Sequence, residues 1–273
     1  TGVQTCALPI SCSVESLQQL AALHWFYRAR MGHSYEHVTV CGHSKGGNKA
    51  MYLAVKVPDG IDRAVAFDAQ GFSREFVQTY GDEILAHTDR ITQYSLDNDY
   101  VNGLLTCIAL HSRRIYLDGS HIENPAAYHS PFSLFAPYHG SSGHVLELSG
   151  EVPQGSFGKA FAEFSDFVAD TADAQEYRTI CECVGSALEN ILVPHVDADE
   201  RAARAARIGN TEGFALLLGY LARFFGQAAS STTAADIIAL LLPSGTRGKT
   251  IADDLAIGAL ETAQSLLRKI TGR

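Results

Sequence analysis

The chain has 273 residues, 46% of them hydrophobic and 19% charged, and carries a net charge of −9. That balance describes one large globular domain, or a domain with an appendage, with ample material for a core. The negative charge argues against a nucleic-acid partner, and no run of about 18 apolar residues offers a membrane span. Six cysteines in a chain of this length fit neither a disulfide framework nor a zinc-ligand spacing, so a reducing compartment, cytoplasmic by default, is the plain expectation.

Residues 1–10, TGVQTCALPI, look like the conceptual translation of a common sequencing-adaptor oligonucleotide. They are read as a non-native leader over residues 1–11 and set aside. On that reading the native gene is cut upstream of Ser11 or Cys12. Early strands of the fold would then be missing, and export cannot be judged from a signal peptide. Residues 14–30 carry Leu17, Leu20, Leu23, Trp25 and Phe26 among polar residues. The pattern predicts an amphipathic helix, with Ser13 as N-cap and Gly32 as stop.

A β-branched run at 37–41 leads into Gly42-His43-Ser44-Lys45-Gly46-Gly47-Asn48 and then an apolar helical stretch to about 57. Strand, tight turn and helix, with a serine at the apex, are the parts of the nucleophile elbow G-x-S-x-G. The glycines two before and two after Ser44 are expected where a Cβ would collide with a neighbouring segment. Pro58-Asp59-Gly60 marks a turn. A second strand follows at 64–68, helical segments at 74–80 and 82–87, a third strand at 90–95 and a fourth at 114–118. Strands alternating with helices at this spacing predict a mostly parallel sheet.

Residues 121–154 read as loop, with one short strand at about 144–148. Six helices are then expected, at 159–170, 174–191, 198–208, 212–226, 233–242 and 251–270. The division that follows is an α/β core over 12–155 and a helical region over 156–273.

A serine hydroxyl is a poor nucleophile until an imidazole takes its proton and a carboxylate orients that imidazole. In this fold class the acid and then the histidine follow the serine along the chain. Asp99, after the third strand, is the preferred acid, Asp97 the alternative and Asp68 a weaker third. Each of Asp97 and Asp99 has a bland reading as the cap of a short helix starting near Tyr100. Six histidines lie downstream: His111, His121, His129, His139, His144 and His195. His121 and His129 fall in the loop after the fourth strand, where the base belongs.

The segments Gly42–Asn48, Phe67-Asp68-Ala69-Gln70-Gly71-Phe72 and His129-Ser130-Pro131-Phe132-Ser133 resemble a bacterial lipase-like domain-of-unknown-function family related to the class 3 lipases. The resemblance spans about 14–190 and implies an α/β-hydrolase fold with the triad Ser44, Asp99 and His129. Asp99-Tyr100-Val101 is also similar to the acid segment of those lipases. The chain departs from the family at Ala69-Gln70, where the family tends to have Gly-Pro. The main-chain N–H of Lys45, at the start of a helix, is one expected oxyanion donor. A second normally comes from a loop after an early strand, which would lie in the missing upstream part and leave the fragment inactive.

Residues 237–250 imitate a strand entering a phosphate-binding loop, but Pro243 stands where the first glycine is required and no nucleotide site is expected. His33 and His37 lack the context of a metal site. Lys45 beside Ser44 does not have the spacing of a Ser-Lys dyad. No cofactor and no metal are expected. The leading reading is a serine esterase or lipase-like hydrolase acting on a small-molecule or lipid ester. The rival is a non-catalytic hydrolase-fold binding or scaffold protein.

Overall fold

A computed structural model describes residues 14–122, 127–136, 147–192 and 197–227. The described residues fall into two compact units, one up to Asp166 and one from Phe167 onward. The leader, the helices expected at 233–242 and 251–270, the loop-like 237–250 segment, His139, His144 and His195 lie outside the described residues.

The first unit is α/β, as the strand–helix alternation predicts. Four parallel strands, β1 (Thr39–His43), β2 (Arg63–Phe67), β3 (Ile91–Leu96) and β4 (Arg114–Leu117), pair in chain order. The register runs Gly42 to Ala66, Ala66 to Gln93 and Gln93 to Arg114. All four strands therefore end at one edge, the usual location of ligand sites in parallel sheets.

Helix α2 (Lys45–Lys56) packs on β1 and β2. It buries Met51, Leu53, Ala54 and Val55 in one core with Ala64 and Ala66 of β2. Small residues on the strand let this helix lie close, and β-branched or long side chains fill the remaining space. Helices α3 (Arg74–Thr79) and α4 (Gly81–His87) follow β2, and Phe76 and Ile84 join the same core.

Helix α1 (Leu17–Arg30) begins three residues later than expected, capped by Ser16 rather than Ser13. Ser16 and Gln19 satisfy each other's main-chain N–H groups in a capping box. The amphipathic expectation fails on this helix. Only Gln19 and Phe26 are buried, while Leu17 is 85% exposed and Leu20 and Trp25 are exposed with it. The inward face is narrow and mixed: Phe26 and Leu23 pack on the core beside polar contacts. Gln19 Nε2 donates to Asn48 Oδ1 at 2.9 Å, and Arg30 Nη1 donates to the Gly60 carbonyl. Nearby, Tyr52 Oη donates to Glu15 Oε1 at 2.7 Å. The strand expected at 144–148 leaves only Leu148 to describe in its bridge, paired antiparallel with Phe135.

Helix α5 (Ser156–Thr171) crosses the division between units. Among the described residues, the second unit is helical. Helices α6 (Ala174–Leu192), α7 (Ala198–Gly209) and α8 (Glu212–Gln227) pack on one another. Ile180, Val184, Leu188, Ile208, Leu217 and Leu221 are buried there. Gly213 lets α8 approach α6, since a Cβ on it would stand 2.6 Å from the Thr179 carbonyl oxygen.

Candidate active site

The elbow is the most constrained stretch of the sheet edge. β1 runs up to His43, and Ser44 reverses the chain with φ 56° and ψ −125° before α2 starts. A positive φ in a non-glycine residue is strained and persists only where the surroundings hold it. Here the Ser44 N–H donates to the Phe67 carbonyl at 2.8 Å, and its own carbonyl accepts from Asn48 N–H at 3.1 Å. A Cβ on Gly42 would stand 2.3 Å from the Gly46 carbonyl carbon. The second tight glycine differs from expectation. A Cβ on Gly46 meets nothing within 4 Å, whereas one on Gly47 would lie 2.7 Å from Ala69 Cβ and 2.9 Å from the Gly42 carbonyl oxygen. Gly47 faces the sheet, and Gly46 faces away from it.

Three side chains from three strand ends meet above this turn. Ser44 Oγ lies 2.7 Å from His129 Nε2, and His129 Nδ1 lies 2.9 Å from Asp99 Oδ2. His129 and Asp99 are both buried. Because the carboxylate can only accept, Nδ1 carries the proton and Nε2 is left to accept from the Ser44 hydroxyl. That is the tautomer a serine needs if its proton is to be removed.

Asp99 serves two masters. Its Oδ1 accepts from the N–H groups of Val101 and Asn102, each at 2.8 Å, while Oδ2 holds the imidazole. The capping role and the imidazole contact are thus made by the same carboxylate. The short helix expected near Tyr100 is instead a turn. His129 is set by its neighbours. Tyr128 Oη donates to the Gly119 carbonyl at the end of β4, and Ser130 N–H and Ser133 Oγ both donate to the Ala127 carbonyl.

Asp97 points elsewhere. Its Oδ1 accepts from Gly119 N–H at 3.1 Å and its Oδ2 from Asn98 Nδ2 at 2.7 Å, so it ties the end of β3 to the end of β4. Burial raises its carboxyl above the usual range. His121 is exposed in a turn beside Asp118 and makes no contact with Ser44. Lys45 is the first residue of α2, ahead of the first intrahelical bond, which is Asn48 to Ser44. Its N–H therefore belongs to the set that a helix leaves free to meet an anion. Burial, and then Lys49, pull the Lys45 ammonium down to about 8.

One neighbour escaped the sequence reading. The His43 ring lies 4.7 Å from that of His129 at an interplanar angle of 35°, with its Nε2 buried and unpartnered. Burial, and then His129, push His43 down to about 4, against a smaller pull from Asp99. It is an uncharged flat wall for the imidazole at neutral pH. The signal was its place: the last residue of the strand, directly before the elbow serine.

Among the described residues, no group of His, Cys, Asp and Glu side chains could hold a metal ion, and no helix is long and apolar enough to cross a membrane. The family model described as Mbeg1-like matches residues 9–123. That is less than half of the chain; it takes in Ser44, Asp97 and Asp99 and stops short of His129. The match agrees with the lipase-like resemblance of the elbow and names no substrate. No curated protein and no solved structure matches the chain.

Proposed function

We propose that this protein is a serine hydrolase of the esterase or lipase type, with Ser44 as nucleophile, His129 as general base and then acid, and Asp99 as the group that orients His129. The observation that carries the reading is the continuous relay Ser44–His129–Asp99 at 2.7 and 2.9 Å. Ser44 Oγ attacks the ester carbonyl as its proton passes to His129 Nε2. The negative charge on the carbonyl oxygen meets the Lys45 N–H at the start of α2. Collapse expels the alcohol, protonated by His129, and leaves an acyl group on Ser44. Water, deprotonated by His129, then releases the acid. The substrate class is a small-molecule or lipid ester, and the acyl chain is open.

Fluorophosphonate labelling of the full chain tests this. Covalent labelling that disappears in Ser44→Ala supports the reading. A folded chain that takes no label, or a Ser44→Ala variant that still takes it, overturns the reading in favour of a hydrolase-fold protein that binds without catalysis.

A further inference from the structure

Behind the relay stands a second carboxyl group. Asp68 follows β2, is fully buried, and has φ 42° in a non-glycine residue. Its N–H donates to the Tyr94 carbonyl at 2.9 Å, and its Oδ1 accepts from Leu96 N–H at 2.8 Å. Its Oδ2 is buried and has no hydrogen-bond partner. An ionised oxygen in that position is desolvated with no hydrogen bond of good geometry to offset the cost. A protonated oxygen is far less penalised.

The charged and phenolic groups facing it oppose ionisation further, and they outweigh the Leu96 N–H and the Asn102 side chain, which favour it. Asp99 is the nearest charge. Tyr100, whose Oη is also buried and unpartnered, is a neutral phenol raised by burial and by both aspartates. Asn102 is uncharged, and its Nδ2 donates to the Leu96 carbonyl at 3.2 Å. No cation lies in this set. Burial, and then Asp99, hold the Asp68 carboxyl well above the usual carboxylate range.

We propose that Asp68 is a positioning residue of the relay: an uncharged carboxylic acid, its proton on Oδ2, that fixes the end of β3 and so places Asp99, while leaving Asp99 as the single negative charge of the buried cluster. The chain of contacts is short. Asp68 holds Leu96 N–H, and the Leu96 carbonyl accepts from both Asp99 N–H and Asn102 Nδ2. Asn102 N–H in turn donates to Asp99 Oδ1. This role rests on the serine-hydrolase reading.

The proposal separates two substitutions that a merely structural role would not. Asn matches a protonated Asp in shape and charge. Asp68→Asn therefore keeps the rate of Ser44 phosphonylation and the pH at which that rate falls on the acid side. Asp68→Ala frees the Leu96 N–H and slows phosphonylation by roughly 10²-fold through misplacement of Asp99. Were Asp68 ionised, removing its charge would make imidazolium less favourable, and the acid limb of Asp68→Asn would move to lower pH.

The measurements are the pH profile of fluorophosphonate labelling for the wild type and both variants, and the infrared carbonyl stretch of a protonated carboxylic acid at neutral pH. The expected results are an unshifted profile for Asp68→Asn and a carbonyl band present in wild type and in Ser44→Ala but lost in Asp68→Asn. A shifted profile, an absent band, or Asp68→Asn falling as far as Asp68→Ala overturns the inference. If Asp68→Ala does not fold, the Asn profile and the band decide. A wild type that shows the band but takes no label defeats the hydrolase reading, and this role with it. Label without the band defeats only the role of Asp68.

Discussion

The two units solve opposite problems. In the α/β unit, buried polar groups gather at the end of the sheet: Asn48, Asp68, Gln70, Asp99, Asn102 and His129 all lie within or beside turns that follow strands. In the described part of the helical unit, Asn190 is the buried polar residue, and the interior is otherwise aliphatic and aromatic with two buried thiols, Cys181 and Cys183. A polar interior is worth its desolvation only when every group has a set position. The first unit therefore spends stability on geometry, whereas the second is built for cohesion. Substitutions should divide accordingly, into those that change chemistry and those that change stability.

The largest effect is expected at Asp99. Asp99→Asn keeps the shape but stabilises the wrong tautomer of His129, so phosphonylation of Ser44 should slow by about 10⁴-fold in a chain that still folds. A rate within tenfold of wild type would move the orienting role to another residue. Leu188→Ala, in the middle of α6 and fully buried, should cost roughly 2–5 kcal/mol in a urea titration. Its labelling rate per folded molecule should be unchanged. If the labelling rate falls, the contrast between the two units is broken.

A smaller, pH-dependent effect is expected at His43. Its folded-state value near 4 lies below the ordinary 6.5, so the unfolded chain takes up a proton first as pH falls. Stability is then full above about 6.5, declines between 6.5 and 4, and loses nothing more from this group below 4. His43→Phe, which keeps a flat ring beside His129, should flatten that part of the acid slope in denaturation midpoints taken across the window. An unchanged slope would mean that His43 is not the group responsible. The smallest effect belongs to Leu17. Exposed on α1, Leu17→Ser should shift stability by no more than about 0.5 kcal/mol, and a larger loss would show that this residue is covered in solution.

What the sequence made legible follows from how local each feature is. The parallel sheet came from the alternation of apolar runs and helical stretches, each fixed within a dozen residues. The elbow did too, because strand, turn and helix are contiguous around Ser44. Chain order offers Asp99, Asp97 and, more weakly, Asp68 as the acid, but it does not say which faces the imidazole. That is decided by the turn at Val101 and Asn102 for Asp99 and by Gly119, on another strand end, for Asp97. His129 was picked from a group of histidines by resemblance and position in the loop, and no periodicity marks it.

The misreading of α1 has a different origin. Leu17, Leu20 and Trp25 fit the helical spacing but face outward, while the helix docks through Phe26, Leu23, Gln19 and Arg30. Asp68 was weighed only as a rival acid, because a sequence shows a carboxylate's place but not the missing partner of its second oxygen.

The contact between Ser44 and His129 joins residues 85 positions apart. Long-range contacts form late, because the loop entropy they cost must be met by the pairing of everything between. β2, β3 and β4 all lie in that interval, so the imidazole reaches the serine only once the sheet is complete. On the proposed hydrolase reading, labelling of Ser44 would therefore report complete folding, because the imidazole contact that activates the hydroxyl forms only when the last strand has its place.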